Sequence, residues 1–344
     1  MDKIINKQYL NDINILAIET SCDETAASVV RNGKNVLSNV IYSQIEIHKQ
    51  YGGVMPEIAS RNHVLKINEV VKCAIDEANC DLHAVAVTNG PGLVGALLVG
   101  VSFAKAYAFA KQLPLIAVNH IKSHIFANFI SNLELEPPFL CLVVSGGHSH
   151  IIEVLNYDEI KLVGRTRDDA AGEAFDKGAR TLSLSYPGGV KLEQLAKNGD
   201  DNAYIFKSAF NDEEHFDFSF SGYKTALINI IHNAEQKNET IDRASLAASY
   251  QKAINKTLTN KLIRAAKQLN YKKIAIAGGV SANLNLRESI KRQATENNIE
   301  FYCPKINLCT DNAAMVGCAA YFQYIKNDFS QLSLNANPAR AFKN

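Results

Sequence analysis

A chain of 344 residues, 47% of them apolar and 21% charged, has the balance of a soluble globular protein and can bury one large core or two ordinary ones. Its net charge of +1 excludes a strong overall field for nucleic acid, so RNA binding would need a local patch or help from other subunits. The longest apolar runs fall short of a bilayer span, so no membrane association is expected.

Met1 to Asp12 is polar and carries no apolar targeting segment. Seven scattered cysteines, none in a Cys-x-x-Cys pair, fit reduced thiols and a cytoplasmic location. Ile13 to Glu19 reads as a buried strand ending in Thr20-Ser21-Cys22-Asp23-Glu24-Thr25. Strands at Ala26 to Val30 and Val36 to Tyr42 follow. Such a strand–turn–strand unit either presents amides and hydroxyls to a phosphate or is a plain meander with Asp23 in its turn.

Tyr51 to Glu57 is a loop punctuated by Gly and Pro. A helix is expected from about Asn62 to Ala78 with Val64, Ile67, Val71, Ala74 and Ala78 inward. Ala84 to Thr88 reads as a strand and Asn89-Gly90-Pro91-Gly92 as a tight break. The almost wholly apolar helix Leu93 to Lys111 is expected to be covered on most sides. A short strand, Leu115 to Val118, leads into Asn119-His120-Ile121-Lys122-Ser123-His124. On a helix beginning near Asn119 the two histidines lie one turn apart on one face, as two ligands of one metal ion would, or as an ordinary surface pair. A metal would need a third ligand from elsewhere.

Pro137-Pro138 reads as a boundary. After it, Phe139 to Val144, Ser145-Gly146-Gly147-His148 and Ser149 to Val154 repeat the opening pattern of strand, small turn and returning strand, which points to two lobes of related fold. Arg167 to Asp176 starts a helix with Asp168 or Asp169 as its N-cap. Tyr186-Pro187-Gly188-Gly189 closes that segment, and residues 190–242 read as less regular. The next helix, near Ala244 to Leu269, places Leu246, Tyr250, Ile254, Leu258 and Leu262 on one stripe. Lys252 to Arg292 holds ten Lys or Arg and one acid, either an RNA-binding patch or a solvated face. It overlaps a strand into Gly278-Gly279, a nucleotide-type turn that runs on to Asn283. Asp311 opens the last apolar helix and is either its N-cap or the missing third ligand. The tail from Asn335 is polar and basic.

Eight motifs occur in order. They are Glu19 to Thr25, Gly52 to His63, Asn89 to Leu93, His120-x-x-x-His124, Val144 to His148, Asp168 to Lys177, Tyr186 to Gly189 and Asp311 to Met315. Together they resemble the bacterial TsaD branch of the tRNA threonylcarbamoyladenosine transferases, along nearly the whole chain. The resemblance implies an α/β, two-lobed actin/Hsp70/sugar-kinase-like (ASKHA) fold with a ligand cleft between lobes. Residues 13–136 would form the first lobe, completed by the C-terminal helix 312–335, and 137–311 the second, with 1–12 and 336–344 as flexible ends.

The resemblance further implies transfer of a threonylcarbamoyl group from threonylcarbamoyl-AMP to N6 of adenosine-37 in tRNAs that read codons starting with A. His120, His124 and Asp311 would hold one divalent ion, Fe(2+) or Zn(2+). Val144, Ser145, Gly146, Gly147, His148, Asp176, Gly189 and Asn283 would hold the adenylate. Implied partners are tRNA, a smaller inactive TsaB-like paralogue and a TsaE-like P-loop ATPase. Asp23 and Glu24 are candidates for taking the proton of the attacking amine, and no covalent nucleophile is expected. The competing reading is a kinase-like or chaperone-like ATPase of the same fold, which would need no metal triad. A zinc protease is disfavoured, because the helix lacks the Glu after the first His that such an enzyme uses as its base. A non-haem iron oxygenase sits badly with alternating strands and helices, and a non-catalytic scaffold would have lost the ligands.

Overall fold

The computed structural model describes residues 12–207, 210 and 214–340. In chain order the elements are β1 (Asn14–Glu19), β2 (Glu24–Arg31), β3 (Asn35–Ser43), α1 (Ile45–His48), α2 (Pro56–Ala78), β4 (Ala84–Gly90), α3 (Val94–Lys111), β5 (Leu115–Asn119) and α4 (His120–Ser131). A second set follows with β6 (Phe139–Val144), β7 (Ser149–Val154), β8 (Ile160–Arg165), α5 (Ala171–Thr181), α6 (Gly188–Ala196), α7 (Ser221–Gln236) and α8 (Arg243–Gln268). It closes with β9 (Lys273–Ala277), α9 (Leu284–Glu296), β10 (Glu300–Tyr302) and α10 (Ala313–Tyr324).

The chain divides into two compact units. One takes the described residues up to Tyr42, Pro56–Phe126 and Asn312–Arg340, and the other takes Ser43–Met55 and Ala127–Asp311. The division falls inside α4 rather than at Pro137-Pro138, and residues 43–55 group with the second unit.

The first unit holds a sheet of order β3-β2-β1-β4-β5. β1 is antiparallel to β2 and parallel to β4, which is parallel to β5. In the second unit the order is β8-β7-β6-β9-β10, so both sheets repeat one plan of a hairpin followed by parallel strands. Parallel strands need crossover connections, and α3 makes the one between β4 and β5. Every residue of β1, β4 and β5 is buried, which explains why these strands read as continuous apolar runs rather than alternating ones.

Several helices depart from the sequence expectation. α2 begins at Pro56, a residue whose fixed φ suits the first helical position. Its buried stripe runs through Ala59, His63, Ile67, Val70, Val71 and Ala74, while Val64 is exposed. α3 buries only Ala96, Leu97, Gly100, Val101, Ala104 and Ala108, so it is covered along one stripe rather than on most sides. It is also, among the described residues, a helix long and apolar enough by composition to cross a membrane. Residues 190–242, expected to be irregular, contain most of α6 and all of α7. The stripe expected for α8 is fully buried.

The tail is also more ordered than expected. Asn337 N–H donates to the Asn89 carbonyl (2.7 Å), and the Pro338 carbonyl accepts from Gly92 N–H (3.2 Å). The Arg340 guanidinium meets the Asn89 side chain, and the Arg340 carbonyl accepts from Asn119 Nδ2 (3.4 Å). Residues 335–340 are therefore strapped to the break after β4. The rest of the expected flexible ends, 1–11 and 341–344, lies outside the described residues.

Candidate metal centre and ligand turn

The carboxyl ends of β1, β4 and β5 lie side by side in one parallel array, where open α/β sheets gather their polar groups. β1 ends in Glu19, β4 carries Thr88 next to that end, and β5 runs directly into His120. Asn119 Oδ1 accepts from the amides of Ile121 (2.9 Å) and Lys122 (3.1 Å), which caps α4 and fixes its first turn. His120 and His124 then face each other with ring centroids 4.7 Å apart and planes near perpendicular. Both are buried.

Asp311 joins them. One ligand atom from each of His120, His124 and Asp311 lies within 4.8 Å of the others. The alternative role for Asp311 is taken by its neighbour: Asn312 is the N-cap of α10, its side chain accepting from Met315 N–H (3.0 Å). Asp311 is thus bonded to the capping residue of a first-unit helix, half-buried, with its carboxylate among the imidazoles. Two imidazoles and one carboxylate are a donor set for a borderline divalent cation such as Fe(2+) or Zn(2+), and with three protein ligands they leave coordination positions open.

Behind His120 stands a group that had no assigned role in the sequence. Glu19 is fully buried. Its Oε2 accepts from Thr88 Oγ1 (2.6 Å) and lies 3.1 Å from His120 Nδ1, and its Oε1 accepts from Ser21 N–H (2.6 Å). Ser21 Oγ also lies 3.1 Å from His120 Nδ1. The turn is held from two further sides. The Ser21 carbonyl accepts from Leu93 N–H (2.8 Å). Buried His63 bonds the Cys22 carbonyl through Nε2 (2.9 Å) and Thr25 Oγ1 through Nδ1 (2.7 Å). A carbonyl only accepts, so His63 Nε2 carries the proton and Nδ1 accepts the threonine hydroxyl. Asp23 is buried in this turn and Glu24 opens β2. The sequence signal for Glu19 was a carboxylate at the end of a strand with no exposed face, where a charge persists only with partners.

The second unit builds a separate turn from its own parallel strands. Val144 ends β6, one residue past Val143, which pairs with Ala277 at the end of β9. Ser145 N–H donates to the His148 carbonyl (2.8 Å), and the Ser145 carbonyl accepts from Gly172 N–H (3.1 Å), which ties the turn to the start of α5. The Ser145 amide is therefore spent inside the turn. Gly146 and Gly147 border open space, where an added Cβ would meet nothing within 4 Å. Gly278, at φ +87, packs so tightly that a Cβ would come within 2.4 Å of the Val144 carbonyl oxygen, so this backbone approach requires glycine.

Asp176 Oδ1 accepts from Gly189 N–H (3.1 Å), at the start of α6. Asn283 caps α9 through Leu286 N–H (2.9 Å) and sits in an amide network, donating to Gln251 Oε1 (2.9 Å) and accepting from Asn255 Nδ2 (3.1 Å). Neither Asp168 nor Asp169 caps α5, whose N-cap is Ala170. Asp169 instead pairs with Lys177 (2.7 Å), which Glu173 also meets (2.9 Å).

A sequence model of the family described as TsaD, tRNA N6-adenosine threonylcarbamoyltransferase, matches residues 35–318. The chain belongs to this family. It is 55% identical over 331 residues to the tRNA N6-adenosine threonylcarbamoyltransferase of Clostridium novyi (strain NT), covering 95% of this chain and 97% of that one. To the enzyme of the same name from Caldicellulosiruptor saccharolyticus it is 53% identical, covering 94% and 97%.

Among solved structures, full-length HypF in a phosphate- and nucleotide-bound form superposes with a TM-score of 0.60 at 13% identity. That match covers 91% of this chain but 46% of HypF, so the chain spans about half that protein's length. Component A of (R)-2-hydroxyglutaryl-CoA dehydratase from Acidaminococcus fermentans gives 0.52 at 13% identity, over 91% of this chain and 99% of that one. These likenesses establish the ASKHA-type fold. As a member of the threonylcarbamoyltransferase family, the protein is a transferase that acts in tRNA modification.

Proposed function

We propose that this transferase moves the threonylcarbamoyl group from threonylcarbamoyl-AMP to N6 of adenosine-37 in tRNAs reading codons that start with A, with release of AMP. We further propose that it works with one divalent ion, Fe(2+) or Zn(2+), held by His120, His124 and Asp311. The observation that carries the reading is the convergence of these three residues, distant in sequence, in a chain that matches the family over nearly its full length. A bound ion would supply Lewis-acid polarisation of oxygens on the mixed anhydride.

The chain's own residues do the rest. Gly146 and Gly147 are exposed, and their amides are the donors offered to phosphate or carbamoyl oxygens. Val144, Ser145 and His148 fix that turn. Asp176 and Gly189 are bonded to each other, and Asn283 has one further amide proton to offer the adenylate beyond the one given to Gln251. Asp23 and Glu24 are the acids offered for the proton of the attacking amine. The substrate is already activated, so no protein nucleophile is required. The resemblance also supports a cytoplasmic enzyme that works beside a TsaB-like paralogue and a TsaE-like ATPase.

The test is mass spectrometry of tRNA nucleosides from cells depleted of this protein and rescued with wild type or His124→Ala. Threonylcarbamoyladenosine is expected to fall, to return with wild type, and to stay at the depleted level with His124→Ala. Full rescue by His124→Ala would refute the metal role while leaving the transferase. An unchanged nucleoside level, with no second transferase gene present, would refute the reaction.

A further inference from the structure

A buried carboxylate is costly unless every lone pair it turns inward is met. Glu19 has no exposed surface, and groups from three segments converge on it: two donors, the Ser21 amide and the Thr88 hydroxyl, and Nδ1 of the His120 ring. Two of these, Ser21 N–H and Thr88 O–H, hold its two oxygens at 2.6 Å each. The carboxylate is therefore fixed before it meets the histidine, and the imidazole must adapt to it.

We infer that Glu19 is a positioning residue for the metal centre. It sets the tautomer of His120 by accepting Nδ1–H, so that Nε2 turns its lone pair toward His124 and Asp311. Ser21 and Thr88 hold Glu19 in the orientation that does this. This rests on the metal reading above and adds to it which nitrogen of His120 binds and what selects it. An ionised carboxylate only accepts, so it meets the ring as Nδ1–H and leaves Nε2 unprotonated.

Glutamine at position 19 has the same shape but cannot accept at both ends. With its oxygen on Ser21 N–H, its NH2 faces His120 Nδ1 and favours the opposite tautomer, with the proton on the ligand atom. With the amide reversed, NH2 opposes the Ser21 amide instead. The first arrangement loses the tautomer that frees Nε2, and the second keeps it only by setting two buried donors against each other, while the volume of the buried side chain stays the same.

The test titrates metal-free protein with Zn(2+) for wild type, Glu19→Gln and His124→Ala, and measures the thermal unfolding of each metal-free form. Glu19→Gln is expected to weaken Zn(2+) binding by about 10- to 100-fold, beyond what its shift in metal-free stability accounts for. Wild-type affinity in Glu19→Gln overturns the positioning role and leaves the metal reading standing. Wild-type affinity in His124→Ala overturns the metal reading itself. A second measurement needs no substitution at position 19. Nitrogen-15 spectra of histidine-labelled, metal-free wild type should show His120 with its proton on Nδ1 and none on Nε2. Protonation at Nε2 overturns the inference.

Discussion

Asp168 shows what one carboxylate does when its partners lie far away in sequence. Oδ2 accepts from the hydroxyls of Ser219 (2.5 Å) and Ser221 (2.7 Å), and Oδ1 accepts from the amides of Phe220 (2.7 Å) and Ser221 (3.3 Å). It therefore satisfies the first turn of α7, where hydrogen-bond donors lack partners within the helix. Burial opposes its ionised form, but these four hydrogen bonds outweigh burial and hold its pKa below the ordinary 3.8. A depressed carboxyl contributes stability that is fully present above its unfolded pKa and is lost as pH falls through the folded value. Asp168→Ala should therefore cost about 0.5–2 kcal/mol at neutral pH, as removal of a cap does. It should also flatten the acid-side fall in stability below about pH 4. Urea unfolding of both proteins across that range checks both outcomes. Sequence alone placed Asp168 next to the wrong helix, because capping preferences are read over three or four residues and this contact closes a loop of about fifty.

At the scale of one element, α3 separates composition from environment. Its sequence is apolar all round, which reads as a helix enclosed on most sides. In the fold, Leu97 is fully buried and Phe109 is 71% exposed. Leu97→Ala should cost about 2–5 kcal/mol, and Phe109→Ser should stay within about 0.5 kcal/mol. Equilibrium denaturation of the two variants separates the packed stripe from the open face. α4 gives the opposite case. Its start after a short buried strand, and the spacing of His120 and His124, were legible because helix period and strand-to-helix turns are local. The tail illustrates the limit of that reading. Polar, basic composition suggested flexibility, yet 335–340 is held by backbone hydrogen bonds to Asn89 and Gly92, and any residue type can make such bonds.

For the molecule as a whole, charge matters more for where it is spent than for its sum. The basic run from Lys252 to Arg292 was open to reading as an RNA surface, but much of it is engaged internally. Lys252 pairs with Asp201 (2.8 Å), and Arg264 meets the His215 carbonyl and lies over Phe216. Arg287 donates to the carbonyls of Ser281 (2.6 Å) and Pro304 (2.8 Å). Lys261 is buried, donating to the carbonyls of Phe210 (2.7 Å) and His215 (3.2 Å). Lys261→Met should therefore lower stability by about 1–3 kcal/mol, the cost of stranding buried acceptors. It should leave the salt dependence of tRNA binding unchanged, since that slope counts charges that reach phosphates. Chemical denaturation and binding titrations at several salt concentrations measure the two effects separately.

The sequence by itself determined most of the strands and helices, the repeat of one strand–turn–strand plan, and the motifs that place the chain in its family. These rest on hydrogen-bond periodicity and turn stereochemistry, which act over a few residues and are written in their order. Only the tertiary structure decided that Asp311 joins His120 and His124 while Asn312 takes the cap. It also showed Glu19, Ser21 and Thr88 gathered behind His120, and Lys252, Lys261, Arg264 and Arg287 of the basic run spent on carbonyls and an acid. Those outcomes depend on which strands become neighbours in a sheet, because neighbouring strand ends bring together side chains that no local spacing relates.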